Sequence, residues 1–147
     1  MNRFETVCLE EAKKAFLKGE VPVGCVVVKD GKVIARAHNR TEETGNPTAH
    51  AEMLAIQEAV RTLGSKYLYR CELYVSLEPC PMCAYAIVLA RIEKVVFLAQ
   101  DERRGAVISR YNLFEEPAFN HRVRWEYKPT EEASKLIRDF FKARRKA

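Results

Sequence analysis

Two short segments constrain this chain more than anything else in it. Each places metal-ligating side chains at the opening of a helix: Pro47-Thr48-Ala49-His50-Ala51-Glu52 and Leu77-Glu78-Pro79-Cys80-Pro81-Met82-Cys83. Proline favours the first helical position, so Pro81 there makes Cys80 the N-cap and Cys83 the third helical residue. The two sulfurs then lie within one turn of each other. They sit close to backbone N–H groups that have no intrahelical partner, a setting that favours thiolate. His50 adds an imidazole from the start of another helix. One imidazole and two thiolates suit Zn²⁺, and three protein ligands leave a fourth position for water, the catalytic rather than the structural pattern. Zinc in such a site lowers the pKa of its water to about 7. Glu52, next but one to His50, is placed to share the site without ligating and to move the water's proton. The chain must therefore adopt a fold in which two helix beginnings converge.

A fourth protein ligand would close the site. Cys71 precedes a predicted strand and Cys80 follows it, so six strand residues separate them by roughly 20 Å, and Cys71 falls at the wrong end of the sheet. Cys25 is not removed by the same reasoning. Cys8 lies on the apolar face of the first predicted helix and reads as packing. Five cysteines are an odd number, and metal or catalytic use fits them better than a disulfide framework.

Periodicity supplies the rest of the organisation. Phe4, Cys8, Ala12, Ala15 and Phe16 recur at helical spacing, ended by Gly19. Val21–Val28 reads as a strand, Asp30-Gly31 as a two-residue hairpin turn, and Lys32–His38 as the returning strand. Residues 39–48 read as loop. Ala49–Leu63 is a helix stopped by Gly64, Glu72–Leu77 a strand, Cys80–Arg91 a helix and Lys94–Ala99 a strand. Residues 101–117 are irregular or a short helix. Arg122–Tyr127 is a candidate last strand and Thr130–Arg145 a last helix, acidic in its first turn and basic in its last. A hairpin followed by alternating units predicts an α/β fold, a mixed sheet with helices on both faces.

At 147 residues the chain is expected to form a single domain over 1–147, since domains usually run about 100–150 residues. No apolar run approaches the ~18 residues of a membrane span, and the opening Met1-Asn2-Arg3-Phe4-Glu5 lacks a signal pattern. A cytoplasmic protein without a membrane partner is the expectation. The net charge is +5. Lys142, Arg144, Arg145 and Lys146 crowd the C-terminal turn, and Arg103, Arg104 and Arg110 one central stretch. These clusters read either as a surface for a polyanion or, at the helix end, as a complement to the macrodipole.

The two zinc segments together carry the H-x-E and P-C-x-x-C signature of the zinc deaminases. With Gly19-Glu20-Val21-Pro22-Val23-Gly24, Leu73–Cys83, Arg91–Phe97, Asn120-His121-Arg122-Val123 and Asp139-Phe140-Phe141, nearly the whole chain resembles the bacterial tRNA adenosine deaminases of the cytidine deaminase-like superfamily. That resemblance implies a three-layer α/β/α sandwich on a mixed five-stranded sheet and a homodimer with one zinc per subunit. It also implies conversion of the wobble adenosine of a tRNA anticodon to inosine, with release of ammonia. It gives zinc to His50, Cys80 and Cys83, and proton transfer to Glu52. Asn39 and the backbone N–H of Ala51 would contact the flipped nucleotide, and Asp101 the RNA backbone or sugar. Phe141, with Arg144 and Arg145 after it, would bring the C-terminal helix (130–145) against the anticodon stem-loop.

The chain departs from the family pattern at Cys25, normally alanine, at Tyr85, normally small, and across Arg103–Ser109, normally a small-residue loop. Asn39 has a second reading as a turn cap. His38 and His121 read as hydrogen-bonded rather than ligating, and Phe140 and Phe141, being adjacent, must face different ways. A guanine or cytosine free-base deaminase shares the zinc chemistry and is the alternative enzyme. A non-catalytic, zinc-stabilised RNA-binding module is the alternative from another class.

Overall fold

The hairpin predicted at Asp30-Gly31 anchors one edge of the sheet in the computed structural model. The structure describes residues 1–146. Ala147, the last residue of the expected domain, and the side chain of Lys146 lie outside that description. Asp30 and Gly31 both take positive φ, 51° and 74°, the geometry of a type I′ turn that matches strand twist. They join β1 (Gly24–Lys29) to β2 (Lys32–His38), with Lys29 opposite Lys32. A register shift between Val27 and Val28 bends the pair.

β3 (Cys71–Val75) runs antiparallel to β1. β4 (Lys94–Phe97) and β5 (Arg124–Tyr127) then add in parallel, giving the order β2-β1-β3-β4-β5. Alternation sends β1 side chains to two different cores. Val26 and Val28 join Tyr74 and Val96 under α1 (Arg3–Leu17) and α5 (Glu131–Lys146). Cys25 and Val27 join Leu73, Val75, Val95 and Phe97 under α3 (Ala51–Leu63) and α4 (Pro81–Leu89). The expected three layers and mixed five-stranded sheet are thus present.

Boundaries differ from the sequence reading where local chemistry overrides pattern. β1 begins at Gly24 rather than Val21, because Pro22 has no N–H for the ladder and the Val23 N–H turns back to the Val21 carbonyl at 2.8 Å. At Gly24 a Cβ would meet the Cys8 carbonyl, the Ala12 nitrogen and the Glu11 side chain, so α1 lies directly on the strand. Residues 39–48 are not all loop. α2 (Thr41–Thr44) forms there because the Glu20 carboxylate accepts the N–H groups of Glu42 (3.0 Å) and Glu43 (2.7 Å). α3 and α4 start one or two residues later than predicted, with His50 and Cys80 left as N-caps. β3 starts at Cys71 itself, and β5 starts two residues later than expected, at Arg124. Between β4 and β5 stands one 3₁₀ turn, Leu113–Glu115.

No helix among the described residues is long and apolar enough to cross a membrane.

Candidate metal centre

The C-terminal ends of β2, β3 and β4 and the start of β1 meet at one end of the sheet. Gly24 pairs with His38 and Cys25 with Val75, and the Ser76 N–H donates to the Gly24 carbonyl. The segments that leave those strand ends carry Asn39, Cys80 and Asp101. Ligand sites in α/β sheets form in this crevice beyond the strand carboxyl ends.

His50 and Cys80 both sit at N-caps with extended backbone (ψ 151° and 172°), and neither side chain makes a capping bond. Both are therefore free to face each other. Pro81 occupies the start of α4, which puts Cys83 one turn inside the helix. The Nδ1 atom of His50 lies 3.6 Å from Cys80 Sγ and 3.5 Å from Cys83 Sγ. All three donor atoms fall within 4.8 Å of one another. A tetrahedral zinc with bonds of about 2.3 Å to sulfur and about 2.0–2.1 Å to nitrogen sets S and N roughly 3.5 Å apart. The triangle has that edge, and the soft donors match the ion. These residues are positioned to bind zinc. No further cysteine, histidine or acid joins the group among the described residues. Cys71 lies at the far end of β3, as expected, and Cys25 is sealed in the core.

Electrostatics favours ligation. The Cys80 thiol is drawn down to about 4, first by the bond from the Cys83 thiol and then by His50, against its burial. Cys80 is thus a thiolate at neutral pH. Cys83 is raised by donating that bond and by burial. His50 is raised, chiefly by its bond to Cys80, with burial and, to a smaller extent, the Arg104 charge acting the other way. Burial pushes the thiols of Cys8 and Cys25 well up, which makes them inert packing groups.

Glu52 stands on the first turn of α3, 4% exposed. Burial, then the charge on Cys80, lifts its carboxyl to about 7. A carboxyl poised there can take up and release a proton near neutral pH. Ala51, fully buried, opens the same helix, and first-turn N–H groups have no intrahelical acceptor.

The remaining predicted residues divide. Asn39 is buried beside the site, its amide directed at Glu20 (3.5 Å) and Thr41 (3.4 Å). Asp101 accepts the N–H groups of Arg103 and Arg104, both at 3.1 Å, so it shapes its own loop. Phe140 packs inward while Phe141 is 43% exposed, the two rings meeting edge to face at 5.2 Å. Arg144 lies over the Phe140 ring and, like Arg145, is exposed. Tyr85 is half-exposed and its ring meets that of Phe119 in a tilted arrangement at 5.3 Å. His38 binds Glu11 and Lys18, and His121 the Ile92 carbonyl.

Sequence reasoning missed two buried acids that frame the site. Glu20 organises the segment carrying Asn39, and Glu78 that carrying Asp101. The available signal was an acid inside an otherwise apolar or turn-forming motif, in Gly19–Gly24 and in Leu77–Cys83.

Fold and site together define a zinc-dependent deaminase of the cytidine deaminase type, and residues 1–99 match the family described as the cytidine and deoxycytidylate deaminase zinc-binding region. The tRNA-specific adenosine deaminase of Aquifex aeolicus (strain VF5) is 62% identical over 139 residues, 95% of this chain and 92% of that one. The chain belongs to the tRNA-specific adenosine deaminase family. A structure from studies of A-to-I editing by tRNA:A34 deaminases superposes with TM-score 0.88 at 42% identity, covering 90% of this chain and 97% of that chain. The guanine deaminase of Bacillus subtilis follows the same fold with TM-score 0.65 at 34% identity, over 100% of this chain and 96% of that one.

Proposed function

We propose that the protein deaminates the wobble adenosine of a tRNA anticodon to inosine, as a cytoplasmic homodimer in which residues 1–147 form one catalytic domain. The observation that carries this reading is the His50, Cys80 and Cys83 triangle with the buried Glu52 carboxyl beside it. The substrate follows from the likeness to relatives that act on tRNA.

His50, Cys80 and Cys83 would hold zinc, which when bound would lower the pKa of a water at this site. Glu52 would accept one proton of that water and deliver it to N1 of the adenine ring as the water oxygen bonds to C6. Glu52 would then take the remaining proton of that oxygen and pass it to the departing amine as the C6–N6 bond breaks, leaving the C6 carbonyl. Adenosine and water become inosine and ammonia, and Glu52 returns to its starting state. Asn39 and the Ala51 N–H orient the base, while Asp101 meets the sugar or backbone of the target. Phe141 offers an exposed ring for stacking on a loop base, and Arg144 and Arg145 hold phosphates at the C-terminal helix.

The test pairs an anticodon stem-loop bearing wobble adenosine with free guanine and free cytosine, each followed for ammonia and mass change. Inosine in the stem-loop is expected. Ammonia from the free bases alone overturns the RNA assignment.

A further inference from the structure

The loop after β4 holds the Arg103–Ser109 stretch, and one carboxylate organises it. Glu78 is 2% exposed. Its Oε2 accepts the N–H groups of Val107 (3.0 Å), Ile108 (2.8 Å) and Ser109 (2.9 Å). Its Oε1 accepts the Asp101 N–H (3.2 Å) and the Ser109 hydroxyl. A Cβ at Gly105 would run into the Glu78 carboxyl group and the Asp101 carbonyl, so the loop rests on the carboxylate itself. The Ala106 N–H donates to the Pro79 carbonyl at 2.8 Å, which ties the loop to the residue preceding the zinc ligand Cys80.

The outer rim of this loop carries Arg103 and Arg104, both exposed. Four arginines elsewhere meet glutamates, Arg36 with Glu11, Arg40 with Glu43, Arg124 with Glu93 and Arg138 with Glu131, whereas Arg110 on the same loop, like Arg103 and Arg104, meets none among the described residues. Among the described residues no carboxylate pairs with the guanidinium of Arg103 or Arg104. Two uncompensated, planar guanidiniums on a loop beside a nucleotide site match the paired non-bridging anionic oxygens of a phosphodiester.

We propose that Glu78 is a positioning residue whose five hydrogen bonds fix this loop so that Arg103 and Arg104 clamp an RNA phosphate flanking the target base. This rests on the RNA reading above and deepens it. The clamp makes the strand next to the flipped base, as well as the base, a determinant of binding.

The test is a salt series of dissociation constants for an anticodon stem-loop against wild type, Arg104→Ala, Glu78→Gln, Ser109→Ala and the Ser109→Ala/Arg104→Ala double variant. Arg104→Ala lowers the slope of log Kd against log salt by about 0.7, or about 2.6-fold less weakening across a fourfold rise in salt. Glu78→Gln removes a negative charge, so charge alone would tighten RNA binding. The clamp requires the opposite: weaker binding and a slope reduced like that of Arg104→Ala. Ser109→Ala removes a single hydroxyl donor, and it carries the test if Glu78→Gln fails to fold. Its effect must shrink when Arg104 is already alanine, because only Arg103 is then left for the loop to position. Independent, additive losses, or an unchanged slope in Arg104→Ala, overturn the clamp while leaving the RNA reading intact. A wild-type protein that binds no stem-loop refutes the RNA reading and the clamp with it.

Discussion

Glutamine at position 11 should destabilise the protein in a pH-dependent way. Glu11 is 3% exposed on α1, yet it holds two cations and an imidazole: Lys14 at 2.9 Å on its own helix, and Arg36 at 2.6 Å and His38 at 3.0 Å on β2. These bonds outweigh burial, which acts in the other direction, and draw the carboxyl from 4.5 to about 2. A depression of that size corresponds to about 3 kcal/mol of linked stability. Lys14 and Arg36 keep 53% and 38% of their side chains in solvent, so screening reduces the figure to about 2 kcal/mol. The sign follows from the direction of the shift. The contribution is full above the unfolded-state value of 4.5 and is lost as pH falls through the folded-state value of about 2. Urea denaturation of wild type and Glu11→Gln should differ by about 2 kcal/mol near neutral pH and by less than half of that near pH 3. Zinc loss in acid affects both proteins, so the difference between them isolates Glu11. A constant difference across that range, or none near neutral pH, would refute the reasoning. The cluster also bears on the site, because His38 ends β2 and is followed directly by Asn39.

Three further substitutions probe packing and the RNA face. Gly24→Ala drives a methyl into the backbone of α1 and should cost at least about 3 kcal/mol, read as a lowered denaturation midpoint or insoluble protein. Phe140→Ala should cost about 3 kcal/mol of stability. Phe141→Ala, its exposed neighbour, should leave stability within about 0.5 kcal/mol while weakening stem-loop binding roughly tenfold. The reverse pattern in the phenylalanine pair would reassign the faces of α5.

The features legible in the sequence are those set by local rules. Pro81 fixed Cys80 as an N-cap and Cys83 one turn later, and Asp30-Gly31 fixed the hairpin. The separation of Cys71 from the zinc donors followed from strand rise alone. Features set by distant partners were not legible. Glu11 meets Arg36 and His38 from 25 and 27 residues away, and Glu20 caps α2 from 22 and 23 residues away. A pattern reading takes such acids for surface, because pairing that neutralises a buried charge leaves no periodic trace. The same holds for Glu78, whose five donors lie 23 to 31 residues downstream. The extension of β1 back to Val21 failed for a different reason. Val21-Pro22-Val23 is apolar enough for a strand, but proline and a tight local turn remove it from the ladder.

The most direct measurement is zinc content and inosine formation in wild type and Glu52→Gln side by side. Both should carry one equivalent of zinc per chain. Only wild type should raise the mass change of a wobble adenosine to inosine at full rate, with the variant slower by about 10²–10⁴-fold. A metal-free wild-type protein that takes up no zinc, or a Glu52→Gln variant that deaminates as fast as wild type, would contradict the account.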